Sequence, residues 1–184
     1  MNPKRILPFL LCHQCYSSSM ATFDINIELI QNDDISDLSI VLRDTYNWLS
    51  RKKSCQWSLD DLSEEKLLDA YGNDEIYVGY QNDQPVCAVI IQKIDNIFWQ
   101  GSNHDDAVYL HKLAVIEELR GSKLSEKLVE LVCQRAAKLG KYFVRLDCRA
   151  NREKLCIFYN NQGFQHQGNI MVGNDTHALY QKTI

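Results

Sequence analysis

Residues 120–125 read Arg-Gly-Ser-Lys-Leu-Ser, between an apolar run at 107–115 and an amphipathic run at 122–139. A strand that feeds such a loop into a helix aims unpaired backbone N–H groups at one point, where an anion is stabilised. Arg120 and Lys123 add positive charge, so the pattern points to phosphate binding. His111 lies inside the preceding run, and an imidazole that titrates near neutrality suits a general base. A lone strand histidine is more often structural. Cys148 follows Asp147 in another apolar run, so a thiol hydrolase pairing Cys148 with His111 is a second chemistry to weigh. No oxyanion-hole motif accompanies it.

Elements of regular structure must bring these residues together. Residues 23–29 alternate as a strand does. Asp33 or Asp34 can cap a helix whose apolar face is Ile35, Leu38, Leu42, Thr45 or Tyr46, and Leu49. A second helix begins near Ser58 or Ser63 and is expected to stop at Gly72. Residues 75–80 and 86–94 read as a hairpin turning at 81–84. Residues 97–103 form a loop or short strand carrying Trp99. Then come a strand at 107–115, a helix at 122–139 stopped by Gly140, a strand at 142–147, a helix at 152–162 stopped by Gly163, and a last strand at 178–181. By period two, His111 shares a face with Tyr109 and Leu113. The order β-α-α-β-β-β-α-β-α-β predicts an α/β (α+β) sandwich with a largely antiparallel central sheet and about four helices.

Composition narrows the class. The 184 residues are 45% hydrophobic, enough for one full core, and 24% charged. The formal charge is −4, with no run of five like charges, which argues against nucleic acid or an anionic membrane as partner. Cysteines stand at 12, 15, 55, 87, 133, 148 and 156. An odd count scattered among apolar neighbours reads as reduced thiols in a cytoplasmic protein. Cys12 and Cys15 have the spacing of half a zinc site, but no second pair follows, so no metal is expected. Residues 1–20 differ from the rest and are read as a dispensable extension before a single domain at 21–184. A short leader peptide is the alternative, although Pro8 breaks its apolar run.

The stretch from residue 108 to 164 resembles the acetyl-coenzyme A core of the GNAT acyltransferases. It carries Leu113-Ala114-Val115, Arg120-Gly121-Ser122-Lys123-Leu124-Ser125 and Phe158-Tyr159-Asn160-Asn161-Gln162-Gly163-Phe164. Tyr46 to Leu49, Gln56-Trp57, Phe98-Trp99 and Leu146-Asp147-Cys148 resemble one poorly characterised bacterial branch of that family. The resemblance implies splayed central strands and acetyl-coenzyme A as cosubstrate. It implies that the backbone of Leu113, Ala114 and Val115 holds pantetheine, and that the 120–125 loop holds the pyrophosphate. Lys123 stands where the family has glycine, and Ser125 where it has glycine or alanine. Tyr159 matches the family's general acid, which protonates the leaving thiolate; a phenol is neutral at pH 7 and can donate. Asn151 matches an asparagine that bonds pantetheine, one residue out of the usual spacing, and can also cap the helix. The implied reaction is direct attack by an amine of a small molecule or peptide, with water or His111 as base. Trp48, Trp57 and Trp99 are expected to wall the acceptor pocket, with Asp95, Asp105 and Asp106 favouring a cationic amine. A non-catalytic coenzyme A-binding module with a degenerate loop is the alternative, and a homodimer is compatible with the pattern.

Overall fold

The computed structural model describes residues 25–30, 34–54 and 57–184. The expected extension at 1–20, Cys12, Cys15, Cys55 and Asp33 lie outside the described residues. The sheet has seven strands in the order β1-β2-β3-β4-β5-β7-β6. They are β1 (Asn26–Ile30), β2 (Glu75–Gln81), β3 (Gln84–Gln92), β4 (Ala107–Val115), β5 (Phe143–Arg149), β6 (Gln165–Val172) and β7 (Asp175–Thr183). Four helices cover it: α1 (Ile35–Arg51), α2 (Glu64–Tyr71), α3 (Leu124–Lys138) and α4 (Glu153–Asn161). Among the described residues no helix is long and apolar enough to cross a membrane.

Pattern and capping explain most of these elements. Helix α1 turns Ile35, Leu38, Val41, Leu42 and Thr45 inward, and they are buried at the spacing of one helical face. Asp34 occupies its N-cap position but makes no side-chain cap bond. At α2 the amide of Lys66 donates to Ser63 Oγ, a conventional cap. Gly72 ends α2 differently from expectation: its φ is −60°, and a Cβ there would lie 2.6 Å from the Leu68 carbonyl oxygen. It is needed for room, not for left-handed backbone. The β2–β3 turn places Asn82 and Asp83 at φ 51° and 60°, the mirror-image turn that matches strand twist.

The unforeseen strand is β6. Its residues are exposed or half-buried throughout, because it is the sheet edge beyond β7. Lacking a buried face, it carries no apolar alternation to read.

Two cores sandwich the sheet. On one face Val108, Leu110, Val144 and Leu146 meet Leu128 and Val132 of α3 and Tyr159 of α4. On the other, Ala88, Ile90 and Ala114 meet Leu38 and Leu42 of α1. A fully buried leucine such as Leu128 contributes about 1.5–3 kcal/mol.

Strand β4 crosses between the two arrangements at a bulge. Ile90 faces His111 and Ala88 faces Ala114, so Lys112 and Leu113 together oppose Val89. Lys112 takes a φ of 50° there, as an added residue in one strand requires. The expected face-sharing of Tyr109, His111 and Leu113 therefore fails after His111. Leu113 packs towards the α3 core with Val115, and Ala114 towards α1.

Arg135 of α3 is clamped to β2: its Nε and Nη2 donate to the two oxygens of Glu75, each at 2.7 Å. The Arg135 hydrogen bonds hold the Glu75 carboxyl below its ordinary range, against partial burial. A depressed carboxyl contributes stability above its unfolded pKa and loses it as pH falls through the folded value. Glu75→Gln is expected to cost about 1 kcal/mol at pH 7. In thermal melts its gap from wild type should close below about pH 4. A gap that is constant with pH would remove the ion pair from the account.

Candidate active site

The site begins where β4 leaves β5. The two run parallel over only Ala107↔Phe143, Val108↔Val144 and Tyr109↔Arg145. Beyond Tyr109 the sides of β4 and β5 that face each other have no ladder between them. A cleft of about 990 Å³ opens at this parting. Leu110, His111, Lys112 and Leu113 of β4 line it, with Asp147 and Arg149 of β5 and Tyr159 of α4. Free backbone groups along such a strand need a hydrogen-bonding partner.

At one mouth stands the 120–125 loop. Gly121 and Lys123 both have positive φ, 82° and 65°. Lys123 is thus a lysine in the left-handed region that glycine fills without cost. It occupies the N-cap of α3 with no side-chain cap bond. The first amides of α3, those of Leu124 and Ser125 among them, are left for an anion. Ser122 is turned inward, its Oγ donating to the Leu119 carbonyl at 2.6 Å. Arg120 lines the cleft, and its guanidinium lies 4.0 Å from the Trp48 ring centre. Burial lowers its pKa, and its Nε and Nη2 are buried without hydrogen-bond partners among the described residues. Orphaned donors of this kind fit a phosphate oxygen.

The other expected residues divide. Leu113 lines the cleft. Ala114 and Val115 do not show side chains to it, and the Val115 carbonyl accepts from Thr45 Oγ1 at 3.4 Å. Asn151 lines the cleft but does not cap α4; Arg152 holds the N-cap position. Tyr159 is buried against Phe158, Phe164 and Tyr180. Burial, then the neighbouring Cys148 and Asp147, pushes its phenol well above the ordinary value, so it stays protonated at neutral pH. Cys148 faces Cys156, with Sγ atoms 3.8 Å apart. Burial raises its pKa strongly, which makes it a poor nucleophile.

Of the expected acceptor wall, Trp48 and Trp57 line the cleft. Trp99 is buried beside Tyr109 instead. Asp106 pairs with Arg145 at 3.1 Å, and Asp105 is exposed. Asp95 is buried, and its Oδ1 accepts the amides of Ile97 and Phe98 at 3.0 and 2.9 Å. Sequence reasoning missed Asp147, His177, Tyr71 and Phe98. His177 Nδ1 lies 2.7 Å from Asp147 Oδ2, and Phe98 lies over His177 with ring centres 4.8 Å apart. Burial pushes Tyr71 up to about 12, with Asp147 next in effect. No local spacing signals these residues, since two adjacent strands, the end of α2 and the segment before β4 meet only in the folded chain.

Two strands that start paired and part midway, with an uncapped helix N-terminus at the mouth, form a cleft suited to an extended ligand that carries phosphate. The chain matches the model of the acetyltransferase (GNAT) family over residues 42–164 and belongs to that family. It is an N-acetyltransferase, and acetyl-coenzyme A is its cosubstrate. YesJ of Bacillus subtilis, an uncharacterized N-acetyltransferase, is 27% identical over 165 residues, covering 83% of this chain and 86% of YesJ. A GNAT acetyltransferase from Listeria monocytogenes is 25% identical with a TM-score of 0.70, over 87% of this chain and 95% of that one. The PaiA N-acetyltransferase of Thermoplasma acidophilum, solved with coenzyme A, shares the fold at 17% identity. Its TM-score is 0.66, over 87% of this chain and 99% of its own.

The strain at Lys123 is testable without ligand. Left-handed backbone costs a side-chain residue about 1–2 kcal/mol, and glycine returns about half of that as lost chain entropy. Lys123→Gly is expected to stabilise the protein by about 0.5–1 kcal/mol in denaturant titration. A destabilised variant would mean that the lysine side chain supports the loop in the free protein.

Proposed function

We propose that the chain transfers the acetyl group directly to an amine of a small molecule or peptide that enters from the α1–α2 side. The observation that carries this is the parting of β4 from β5, with Arg120 and Tyr159 on the one cleft that opens there. In this reading acetyl-coenzyme A supplies the activated thioester. The free backbone of β4 around Leu113, Ala114 and Val115 orients the pantetheine arm. Arg120, the amides of Gly121 to Ser125 and the Lys123 charge hold the pyrophosphate, and Asn151 reaches the arm from the β5–α4 turn. Holding the thioester in line with the amine supplies much of the rate. Tyr159, kept neutral by burial, gives its proton to the departing thiolate, and His111 is the base nearest the acceptor. The non-catalytic alternative rested on Lys123. A lysine that already occupies the left-handed conformation gives that alternative no support.

Acetyl-coenzyme A should raise the melting temperature, because a ligand selective for the folded state stabilises it. Arg120→Glu and Lys123→Glu should each shrink that rise. An equal rise in both variants would place the phosphates elsewhere.

Tyr159→Phe keeps the ring contacts and removes the proton. Turnover is expected to fall by roughly ten- to a thousandfold, with the apparent affinity for acetyl-coenzyme A nearly unchanged. Wild-type turnover in this variant would exclude the phenol from the mechanism.

A further inference from the structure

One part of the cleft wall carries two aspartate–histidine pairs. His177 on β7 meets Asp147 on β5 at 2.7 Å. His111 Nε2 on β4 lies 3.4 Å from Asp95 Oδ2, in the segment before β4. A ligating atom from each of Asp95, His111 and Asp147 lies within 4.8 Å of the other two. His111, Asp147 and His177 line the cleft, and Asp95 stands behind them.

Several details mark this array as a receptor for a cation and not as core packing. The Asp95 side chain is 3% exposed. One of its oxygens is pinned by two amides, while Oδ2 faces His111 Nε2 at 3.4 Å, an ion-pair contact that falls short of hydrogen-bond geometry. A buried carboxylate against one ring nitrogen orients the imidazole of His111, which lines the cleft, and leaves its other nitrogen for a ligand. Tyr71 and Phe98 also line this part, and aromatic faces attract cations. Asp74 adds negative charge near His111 from the α2–β2 turn. Lys112 is a resident cation of the same cleft, its Nζ 4.8 Å from the Trp57 ring centre and 5.9 Å from that of Tyr71, so the ammonium is placed on the Asp147 side, where Phe98 lies against His177.

We propose that the two pairs form the acceptor site for a protonated alkylamine, in which Asp147 accepts an ammonium N–H, His111 removes a proton, and Asp95 and His177 are positioning residues. This rests on the acetyl-transfer reading above and names its substrate class. A proton shared between Nε2 and Asp95 leaves Nδ1 as the basic nitrogen of His111. His177 holds one Asp147 oxygen and leaves the other for the ammonium. The ammonium gives one proton to His111 and then to solvent. The freed nitrogen lone pair forms the C–N bond to the acetyl carbonyl, and the C–S bond breaks. The second proton, shed by the acylated nitrogen, replaces the one that Tyr159 gives the thiolate. An arylamine or an alcohol, neutral at pH 7, gives Asp147 no charge to balance.

The test uses the full chain in two arms. In the first, without acetyl-coenzyme A, n-butylammonium, aniline and n-butanol are titrated while the imidazole proton resonances are followed by NMR. Five histidines are few enough to assign by single His→Gln variants. Only n-butylammonium is expected to move the His111 and His177 signals, and Asp147→Asn should abolish the shift. In the second arm, with acetyl-coenzyme A, N-butylacetamide is measured. Asp147→Asn should raise KM about tenfold or more, and His111→Gln should lower kcat about a hundredfold. Asp95→Asn should lower kcat at unchanged melting temperature, with Asp95→Glu restoring part of it, a rescue that a packing role does not give. Equal shifts with aniline or n-butanol, or none with n-butylammonium at about 10 mM, overturn the proposal. So do shifts caused by Mg²⁺ or Zn²⁺ alone at lower concentration, which would make the array a metal site. Selective ammonium shifts without N-butylacetamide would uphold the cation site and overturn the acetyl-transfer reading instead.

Discussion

Strand β4 is joined to β3 from Tyr109 to Val115, across the bulge, and to β5 over three residue pairs, and the site depends on that inequality. On the β3 side, hydrogen bonds and two hydrophobic layers hold the strand in place. On the β5 side, the backbone is released just where the side chains turn chemical. The bulge at Lys112 belongs to the same arrangement. It adds a residue, increases the local twist and reverses which face each later side chain meets. Without it Leu113 would face α1, and His111 would share its face with the wrong neighbours.

The polar groups around the parting are tolerated because the surrounding scaffold over-determines them. Burial opposes ionisation of Asp95, yet the His111 contact and the amides of Phe98 and Ile97 outweigh it and hold the carboxyl below its ordinary range. Asp147 goes the other way: burial raises it, and His177 and His111 only soften the effect. Two carboxylates with oxygens within 4.8 Å of each other are thereby pushed in opposite directions. The 95–98 segment serves both ends of the array, since the amide that fixes Asp95 belongs to Phe98, whose ring packs on His177.

How much of this the sequence discloses depends on distance along the chain. The strand at 107–115, the helix after it, the glycine stops at Gly140 and Gly163 and the position of Tyr159 are all legible, because each is a local pattern read within twenty residues. Arg120 and the loop are legible for the same reason. The hidden features are of two kinds. The bulge and the β6 edge break or lack the alternation by which strands are recognised. Asp147 and His177 are joined only by the Asp147↔Leu179 register of β5 and β7, and no spacing rule carries a residue across thirty positions. Asp95 was named for its charge near the acceptor side, while its contact with His111 is one that only the folded chain makes.

A strand that belongs fully to the sheet on one side and to the cleft on the other has two rates of isotope exchange along a single backbone. Its amides alternate in direction on either side of the Lys112 bulge. Those turned to β3 are locked by a ladder and open only with the whole core, whereas those turned to β5 beyond Tyr109 meet no strand. The strand therefore records in its own alternating protection which of its groups are spoken for by the fold and which are kept for a guest.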